Sequence, residues 1–137
     1  MNSDSTNLLD SLPPAPGLDF PFDQFQRYRD IQIVVSELAA GLARPQLRVL
    51  DVGGTELTSQ FLPDHVIFVA NVVEDRANTI QSSGAALPFP DRAFDVVLSV
   101  DTLEHIPPAL RPAFVQELVR VADGYVVVTG PFASSVN

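Results

Sequence analysis

The sequence contains no cysteine, which excludes disulfide bonds, thiolate metal sites and cysteine nucleophiles. Basic residues are also scarce: eight Lys and Arg stand against seventeen Asp and Glu, for a formal net charge of −9. Proteins bind nucleic acids and anionic membranes through clustered Lys and Arg, so neither is an expected partner. No apolar run approaches the roughly 20 residues that span a bilayer, and the polar start MNSDSTNLLDSLPPAPG does not resemble a signal peptide. We therefore expect a cytoplasmic protein without a membrane span.

The length of 137 residues favours a single domain with one hydrophobic core. Residues 1–17 are polar and then rich in proline, which predicts a flexible tail. We expect the folded domain to occupy residues 18–137.

Helical and strand-like patterns alternate along the rest of the chain. Apolar residues recur at helical spacing from Tyr28 to Leu42. Short apolar runs predict buried strands at LRVLDVG, HVIFVANVV, FDVVLSV and GYVVVTG, and a very short strand near residues 79–81. ELTSQFL predicts one or two helical turns. PALRPAFVQELVRVA predicts a helix with Leu110, Phe114, Leu118 and Val121 on one face and with Pro112 tolerated only in its first turn. The alternation predicts an α/β fold with a mostly parallel, doubly wound sheet of about five strands and right-handed crossovers.

Two glycines follow the first predicted strand. In doubly wound sheets ligands bind beyond the carboxyl ends of the strands, and glycine in the first strand-to-helix turn lets the backbone approach the ligand closely. Asp51, Gly53 and Gly54 supply such a turn, whereas Thr55 and Leu57 stand where a full glycine pattern has small residues. Two interpretations remain open, a tight turn after a strand or a nucleotide-binding turn.

The second half of the chain resembles class I S-adenosylmethionine-dependent methyltransferases of the small-molecule type (methyltransferase type 11-like). LPFPDRAFDVV at residues 87–97 is similar to their LPF-P-D-x-x-FDVV pattern, and SVDTLEH at residues 99–105 to their S-x-D-x-LEH pattern. VLDVGG at residues 49–54 is similar to their first motif. The resemblance covers roughly residues 30–132. It implies a Rossmann-like fold, S-adenosyl-L-methionine as cofactor, and a small-molecule or lipid-like acceptor.

The resemblance also implies which residues contact the cofactor. The glycine turn would lie under the methionine part, Ala85 and Leu87 would flank the adenine ring, and residues 100–103 would line the methyl-donor end. Asp101 is open to two interpretations, a helix cap or a wall of the pocket. The full set of expected cofactor-binding residues is Asp51, Gly53, Gly54, Asn71, Ser83, Ala85, Leu87, Asp101 and Thr102.

Two acids of the family pattern are replaced. Asn71 stands in the place of the acid that binds the ribose hydroxyls, and Ser83 in the place of the acid that binds the adenine amino group. An amide offers one uncharged carbonyl acceptor, and losing two charged acceptors costs roughly 2–3 kcal/mol, so weakened cofactor binding is expected. Glu74 or Asp75, just past the second strand, is an alternative ribose partner.

Members of the family continue past the fifth strand with an antiparallel hairpin, for which this chain has no residues. The last strand, YVVVTG, is therefore expected to expose an apolar edge. Two explanations stay open: the chain is truncated at its C-terminus, or a protein partner or second copy covers that edge.

His105 is a candidate catalytic residue. Methyl transfer needs a base only when the acceptor must lose a proton, so the Glu104–His105 pair is alternatively expected to shape the site. His65 lies between a turn and a strand and is expected at the surface. The two histidines are forty residues apart in a chain without cysteine, which predicts no metal site.

An aromatic cluster precedes and enters the first predicted helix: Phe20, Phe22, Phe25 and Tyr28. It has two interpretations, a lid over the pocket or an apolar stripe packed on the sheet, and burial is the usual outcome for such stripes.

Three functional hypotheses follow. The first is an S-adenosylmethionine-dependent methyltransferase, and the second is a domain of the same fold that serves as a non-catalytic interaction module. The third, a nicotinamide-dependent oxidoreductase, needs a G-x-G-x-x-G turn and an acid after the second strand. The turn reads GGTELT and the acid is replaced by Asn71, so the sequence disfavours the third.

Overall fold

The computed structural model describes residues 22–55, 57–72 and 79–130. The predicted tail at residues 1–17, Phe20, Glu74 and Asp75 lie outside the described residues. The helices and strands, in chain order, are α1 Phe22–Leu42, β1 Arg48–Val52, α2 Leu57–Phe61, β2 Val66–Asn71, β3 Thr79–Gln81, β4 Phe94–Val100, α3 Arg111–Val121 and β5 Ala122–Thr129. Two 3₁₀ turns, Leu103–His105 and Pro108–Leu110, lie between β4 and α3.

The five strands form one sheet in the order β3-β2-β1-β4-β5. All four pairings are parallel, which confirms the predicted α/β fold. Leu50 of β1 pairs in register with Val97 of β4, so the carboxyl ends of these central strands lie side by side. Within the described residues there is no antiparallel strand beyond β5.

The sheet is covered on both faces, as the continuous apolar runs of its central strands require. Alternate residues of β1 point to opposite faces, so Val49 and Leu50 belong to different core clusters. On one face α1, α2 and the residue after α2 cover the sheet, and they bury Tyr28, Ile31, Val35, Phe61 and Leu62. On the other face α3 packs with Phe114, Leu118 and Val121. This arrangement places β1 and β4 at the centre of the core.

The last helix begins later than the sequence predicts. Pro112 has no N–H and is tolerated only in the first turn of a helix, so α3 starts at Arg111 and the preceding residues form the 3₁₀ turn Pro108–Leu110. Leu110, which helical spacing places on one face with Phe114, Leu118 and Val121, lies in this 3₁₀ turn, and 48% of its surface is exposed.

The connection from β3 to β4, residues 82–93, contains turns and no helix. Phe89 in this connection packs edge-on against Phe94, with ring centroids 5.0 Å apart, and thereby closes the core without a helix.

The edge of the sheet at β5 is partly apolar. Tyr125 and Val128 are each 45% exposed, and among the described strands β4 is the only neighbour of β5. No described helix is both long and apolar enough to cross a membrane.

Candidate functional site

A cleft of about 430 Å³ opens at the carboxyl ends of β1, β2 and β4. The strand order reverses between β1 and β4, and this is where open parallel sheets bind ligands. Its walls come from the turn after β1, the end of β2, residues 82–85, and the segment from the end of β4 to α3. The lining residues are Val52, Gly53, Ala70, Asn71, Val72, Ser82, Ser83, Gly84, Ala85, Asp101, Thr102, His105, Ile106, Pro107, Leu110 and Phe114.

The glycine turn after β1 is required by its surroundings. Gly53 has a φ of +80°, which side-chain-bearing residues rarely adopt, and a Cβ there would lie 2.5 Å from the side chain of Thr102. A Cβ on Gly54 would overlap the carboxylate of Asp51. The N–H of Gly53 donates to the carbonyl of Ala70 over 2.7 Å, which fixes the turn to β2. The turn therefore presents bare backbone to the cleft at Gly53.

Asp51 lies behind the cleft and does not line it. Its side chain is fully buried, and Oδ2 accepts a hydrogen bond from the hydroxyl of Thr58. Oδ1 has no hydrogen-bond partner among the described residues. Burial raises the pKa of Asp51 to about 6, and the hydrogen bond from Thr58 opposes this shift. Because Asp51 is not among the residues that line the cleft, its expected contact with the cofactor stays a prediction.

Asn71 ends β2 and lines the cleft. Its Nδ2 donates to the carbonyl of Gly54 over 3.1 Å, and its backbone carbonyl accepts from the N–H of Ser82 over 2.8 Å. The side-chain amide is therefore oriented by the glycine turn, with its nitrogen engaged. The side-chain oxygen is the atom that could accept from a ligand hydroxyl.

Residues 83–87 form another wall of the cleft. Ser83 and Ala85 line it, and the hydroxyl of Ser83 accepts from the N–H of Ala85 over 3.2 Å. Leu87 does not line the cleft but is buried in the core beside α3. Its N–H donates to Glu117 over 2.9 Å, and its carbonyl accepts from Arg120 over 2.9 Å. The wall is thus tied to α3 by two charged side chains.

Arg120 makes most of the hydrogen bonds between α3 and this wall. Its guanidinium also donates to the carbonyl of Phe89 over 2.7 Å and to the carboxylate of Asp91 over 2.9 Å. The hydrogen bond from Arg120 holds the pKa of Glu117 below its ordinary value. Sequence reasoning did not identify this pair, although Glu117 and Arg120 stand three residues apart on a predicted helix, which is a spacing that brings side chains together.

Asp101 and Thr102 line the cleft just beyond β4. Asp101 has a φ of +53°, and its Oδ2 accepts from Nη1 of Arg27 over 2.6 Å. The 3₁₀ turn after it has Thr102 at its N-cap without a side-chain capping bond. Of the two interpretations of Asp101, the structure therefore shows the pocket wall rather than the cap. Arg27 was not identified from the sequence, because its partner is 74 residues away.

His105 lies at the rim of the cleft, with 80% of its side chain exposed. Its Nε2 is 3.9 Å from Oε1 of Glu104. His65 is half-buried rather than fully at the surface, and its Nδ1 accepts from the N–H of Leu47 over 3.0 Å. Burial lowers the pKa of His65. Through its hydrogen bond with Leu47 this residue fixes the chain just before β1, and it is not among the residues that line the cleft.

The aromatic residues of α1 pack against α2. Tyr28 stacks on Phe61 with ring centroids 5.3 Å apart, and Phe25 meets the same ring edge-on at 6.0 Å. Phe22 is exposed. For Phe25 and Tyr28 the structure therefore shows packing rather than a lid. Burial and the nearby Asp51 carboxylate raise the pKa of Tyr28.

The described residues contain no group of three or more His, Cys, Asp or Glu side chains arranged to hold a metal ion. The cleft is also without Lys or Arg among its lining residues. It therefore combines a mainly apolar surface with a few polar atoms, of which the Asp101 carboxylate is the charged one.

The sequence matches the profile of a family described as Methyltransferase domain over residues 36–128, more than half of the chain. No curated protein gives a significant match.

Solved structures share the fold at low identity. A protein from Pyrococcus horikoshii OT3 is 21% identical with a TM-score of 0.61, over 80% of this chain and 57% of its own. A SAM-dependent methyltransferase from Archaeoglobus fulgidus is 19% identical with a TM-score of 0.58, over 85% and 61%. The Burkholderia thailandensis 1,6-didemethyltoxoflavin-N1-methyltransferase, solved with 1,6-didemethyltoxoflavin and S-adenosylhomocysteine, is 22% identical with a TM-score of 0.54, over 85% and 66%. The chain thus spans less than two thirds of each of these three structures.

Proposed function

The chain belongs to the methyltransferase domain family, and from this premise we propose that it binds S-adenosyl-L-methionine and transfers its methyl group to a small-molecule or lipid-like acceptor. The observation that carries the proposal is the cleft at the reversal point of the sheet, bordered by a glycine turn whose φ and surroundings exclude a side chain. The relative from Burkholderia thailandensis, with a small molecule and S-adenosylhomocysteine bound, supports the same pairing of ligands.

The residues of the cleft fit such a cofactor. Gly53 offers bare backbone that the cofactor can approach closely. Asn71 offers an amide oxygen and Ser83 a hydroxyl oxygen as acceptors for the nucleoside part of the cofactor. Asp101 supplies a buried carboxylate oxygen without a partner among the described residues. An adenine ring can pack on the apolar residues Ala85 and Phe114.

When bound, S-adenosyl-L-methionine supplies a methyl group on an activated sulfonium, so positioning accounts for much of the acceleration. The contribution of this chain is then to hold the two reactants and to exclude water. His105, at the rim, is the candidate base for an acceptor that must lose a proton. An acceptor that needs no deprotonation would make His105 dispensable.

The composition of the cleft supports a neutral or lipid-like acceptor. Its lining includes Val52, Val72, Ile106 and Leu110, and none of its lining residues is Lys or Arg. A polyanionic acceptor needs cationic partners, which the described lining does not provide.

The test is calorimetric titration with S-adenosylhomocysteine. The unaltered chain is expected to bind one equivalent, with Gly53→Ala binding much more weakly because the added Cβ meets Thr102 at 2.5 Å. Gly41→Ala, in α1 with open space around it, is the matched control. Circular dichroism establishes that both variants fold. Failure of the unaltered chain to bind at millimolar ligand would end the proposal.

Two observations favour a second function: two residues differ from the family pattern, and the edge of the sheet at β5 is exposed. Asn71 and Ser83 replace acids of the family pattern, and the partly apolar β5 edge is exposed, which suit a non-catalytic interaction module. Analytical ultracentrifugation distinguishes the two functions. Concentration-dependent association without S-adenosylhomocysteine binding favours the module, and a monomer that binds the ligand favours the methyltransferase.

A further inference from the structure

The edge strand β5 has one side on which no described strand lies, since β4 is its only neighbour among the described strands. The carbonyl of Thr129 accepts from the N–H of Asp101 over 3.1 Å, so Thr129 directs its backbone groups toward β4. Residues along a strand direct these groups alternately to its two sides. Gly124, Val126 and Val128 therefore direct theirs to the open side, where they can pair with a further strand.

One flank of α3 lies beside this open side and carries exposed valines. α3 packs over both β4 and β5. Glu117 and Arg120 reach residues 87–91 on the flank toward the centre of the sheet. Val115 and Val119 occupy the opposite flank, toward the edge of the sheet, and are 41% and 60% exposed. The strand β5 and these two valines are called the edge patch below.

The edge patch is nearly free of charge on a strongly acidic chain. The chain has a formal net charge of −9, but Asp123 is the one charged residue of β5. Two acidic molecules repel each other over most of their surfaces. A second copy of this chain can therefore approach at the edge patch with little repulsion, whereas a basic partner would find almost no acid there.

We propose that the edge patch is the interface of a homodimer, in which β5 pairs with β5 of a second copy and the two sheets become one. A two-fold axis perpendicular to the sheet reverses the strand direction, so the new pairing is antiparallel and both copies bury the same residues. With the axis at Val126, Tyr125 faces Val127 of the second copy, an aromatic and β-branched pair that stabilises antiparallel strands. Asp123 faces Thr129, so no two acids oppose each other.

The position of α3 fits this arrangement. Neighbouring strands lie about 4.8 Å apart, and α3 lies over β4 and β5, so its axis is about 5 Å from the line between the two copies of β5. The two copies of α3 then lie about 10 Å apart, at the distance of packed helices. Val115 and Val119 of each copy fill the space between the helices, and the dimer buries them.

The size of the edge patch predicts a weak dimer. The eight residues of β5 and the two valines of α3 are fewer than the roughly 20–30 residues a side of a standard interface. We expect a dissociation constant on the order of 10–100 µM. None of these residues lines the cleft, so the inference does not depend on the proposed function.

Sedimentation velocity from about 5 µM to about 1 mM protein tests the dimer. The unaltered chain is expected to pass from monomer to dimer, and to associate more tightly when salt screens the net negative charge. Val119→Glu brings two like charges together across the axis and is expected to weaken the dimer about tenfold or more. Val66→Glu is the matched control, because it adds the same charge at an exposed valine of β2 and should leave association unchanged.

Two further variants test the strand pairing itself. Val126→Pro removes an N–H that faces the open side, which an edge strand tolerates, and it is expected to abolish the dimer. Because the chain has no cysteine, Val126→Cys provides a single thiol. Facing residues of a hydrogen-bonded antiparallel pair lie about 5.5 Å apart, within the range for a disulfide, so mild oxidation should link two copies. Val66→Cys is the control and should stay unlinked.

Circular dichroism establishes that each variant folds, and Val119→Glu, on the surface of α3, decides the test should Val126→Pro unfold. A monomer up to 1 mM overturns the inference, as does a dimer that Val119→Glu leaves unchanged or Val66→Glu weakens equally. Association that weakens with added salt also overturns it, because ion pairs would then hold the copies together. Titration of Val119→Glu with S-adenosylhomocysteine should match that of the unaltered chain, so either proposal can fail without the other.

Discussion

Replacing Asp51 by asparagine is expected to stabilise the protein at neutral pH. Asp51 is fully buried in the central strand β1, and its Oδ1 has no partner among the described residues. A carboxylate that loses its hydration and gains only one hydrogen bond, here from the hydroxyl of Thr58, is stabilised in its protonated form. Asparagine keeps the shape and an acceptor for the hydroxyl of Thr58, and it carries no charge at any pH.

The size of the effect follows from the pKa. Burial raises the pKa of Asp51 from 3.8 to about 6, so between these two values the folded state binds more protons than the unfolded state. Its stability therefore falls as the pH rises through this window. With about 1.36 kcal/mol for each pKa unit, ionised Asp51 costs about 3 kcal/mol above the window. At about pH 5 linkage leaves about half of this cost.

Urea unfolding followed by circular dichroism measures this difference. The free energy of unfolding of Asp51→Asn should exceed that of the unaltered chain by about 3 kcal/mol near pH 8 and by about half of that near pH 5. Asp23→Asn, which changes an exposed aspartate in the first turn of α1, is the control and should show neither gain. Parallel stability curves for the unaltered chain and Asp51→Asn would refute the reasoning, because they would mean that Asp51 titrates alike in both states.

Two further pairs of substitutions test the packing of the protein. Gly54→Ala places a methyl group against the buried Asp51 carboxylate and should lower the free energy of unfolding by about 1–3 kcal/mol. Gly41→Ala, with open space around it in α1, should instead raise it by about 0.5–1 kcal/mol, and similar values for both in urea unfolding would contradict this account. Phe61→Ala should cost about 3–5 kcal/mol because the ring is fully buried. Phe22→Ala, at a ring that is 78% exposed, should cost almost nothing, and comparable thermal shifts for the two would show that Phe61 does not anchor α1.

The sheet was predictable because its signals are local. The continuous apolar runs of β1, β2 and β4 specify strands buried on both faces, and even β3, Thr79–Gln81, coincides with the short strand expected there. The start of α3 was less accessible. The helical spacing includes Leu110, but the position of Pro112 decides where the α-helical hydrogen bonds begin.

The site was predictable only in part, because its key contacts join distant residues. The glycine turn and the end of β2 mark two walls of the cleft from sequence alone. The bond from Arg27 to Asp101 and the contacts of Arg120 with residues 87–91 depend on how the helices dock, which no local pattern encodes. Likewise, nothing in VLDVGG shows that Gly54 is required by the carboxylate of Asp51 rather than by a ligand.

The strand order has a consequence for how the chain folds during synthesis. β1 is central, with β2 on one side and β4 on the other, so its second neighbour leaves the ribosome more than forty residues after β1 itself. Parallel pairing of such distant segments is slow because loop closure must come first. Until residues 94–100 emerge, the edge of β1 that later pairs with β4 stays unpaired, and the apolar β1–β2 pair can associate with other chains. A nascent chain paused at that length would be the most dependent on chaperones.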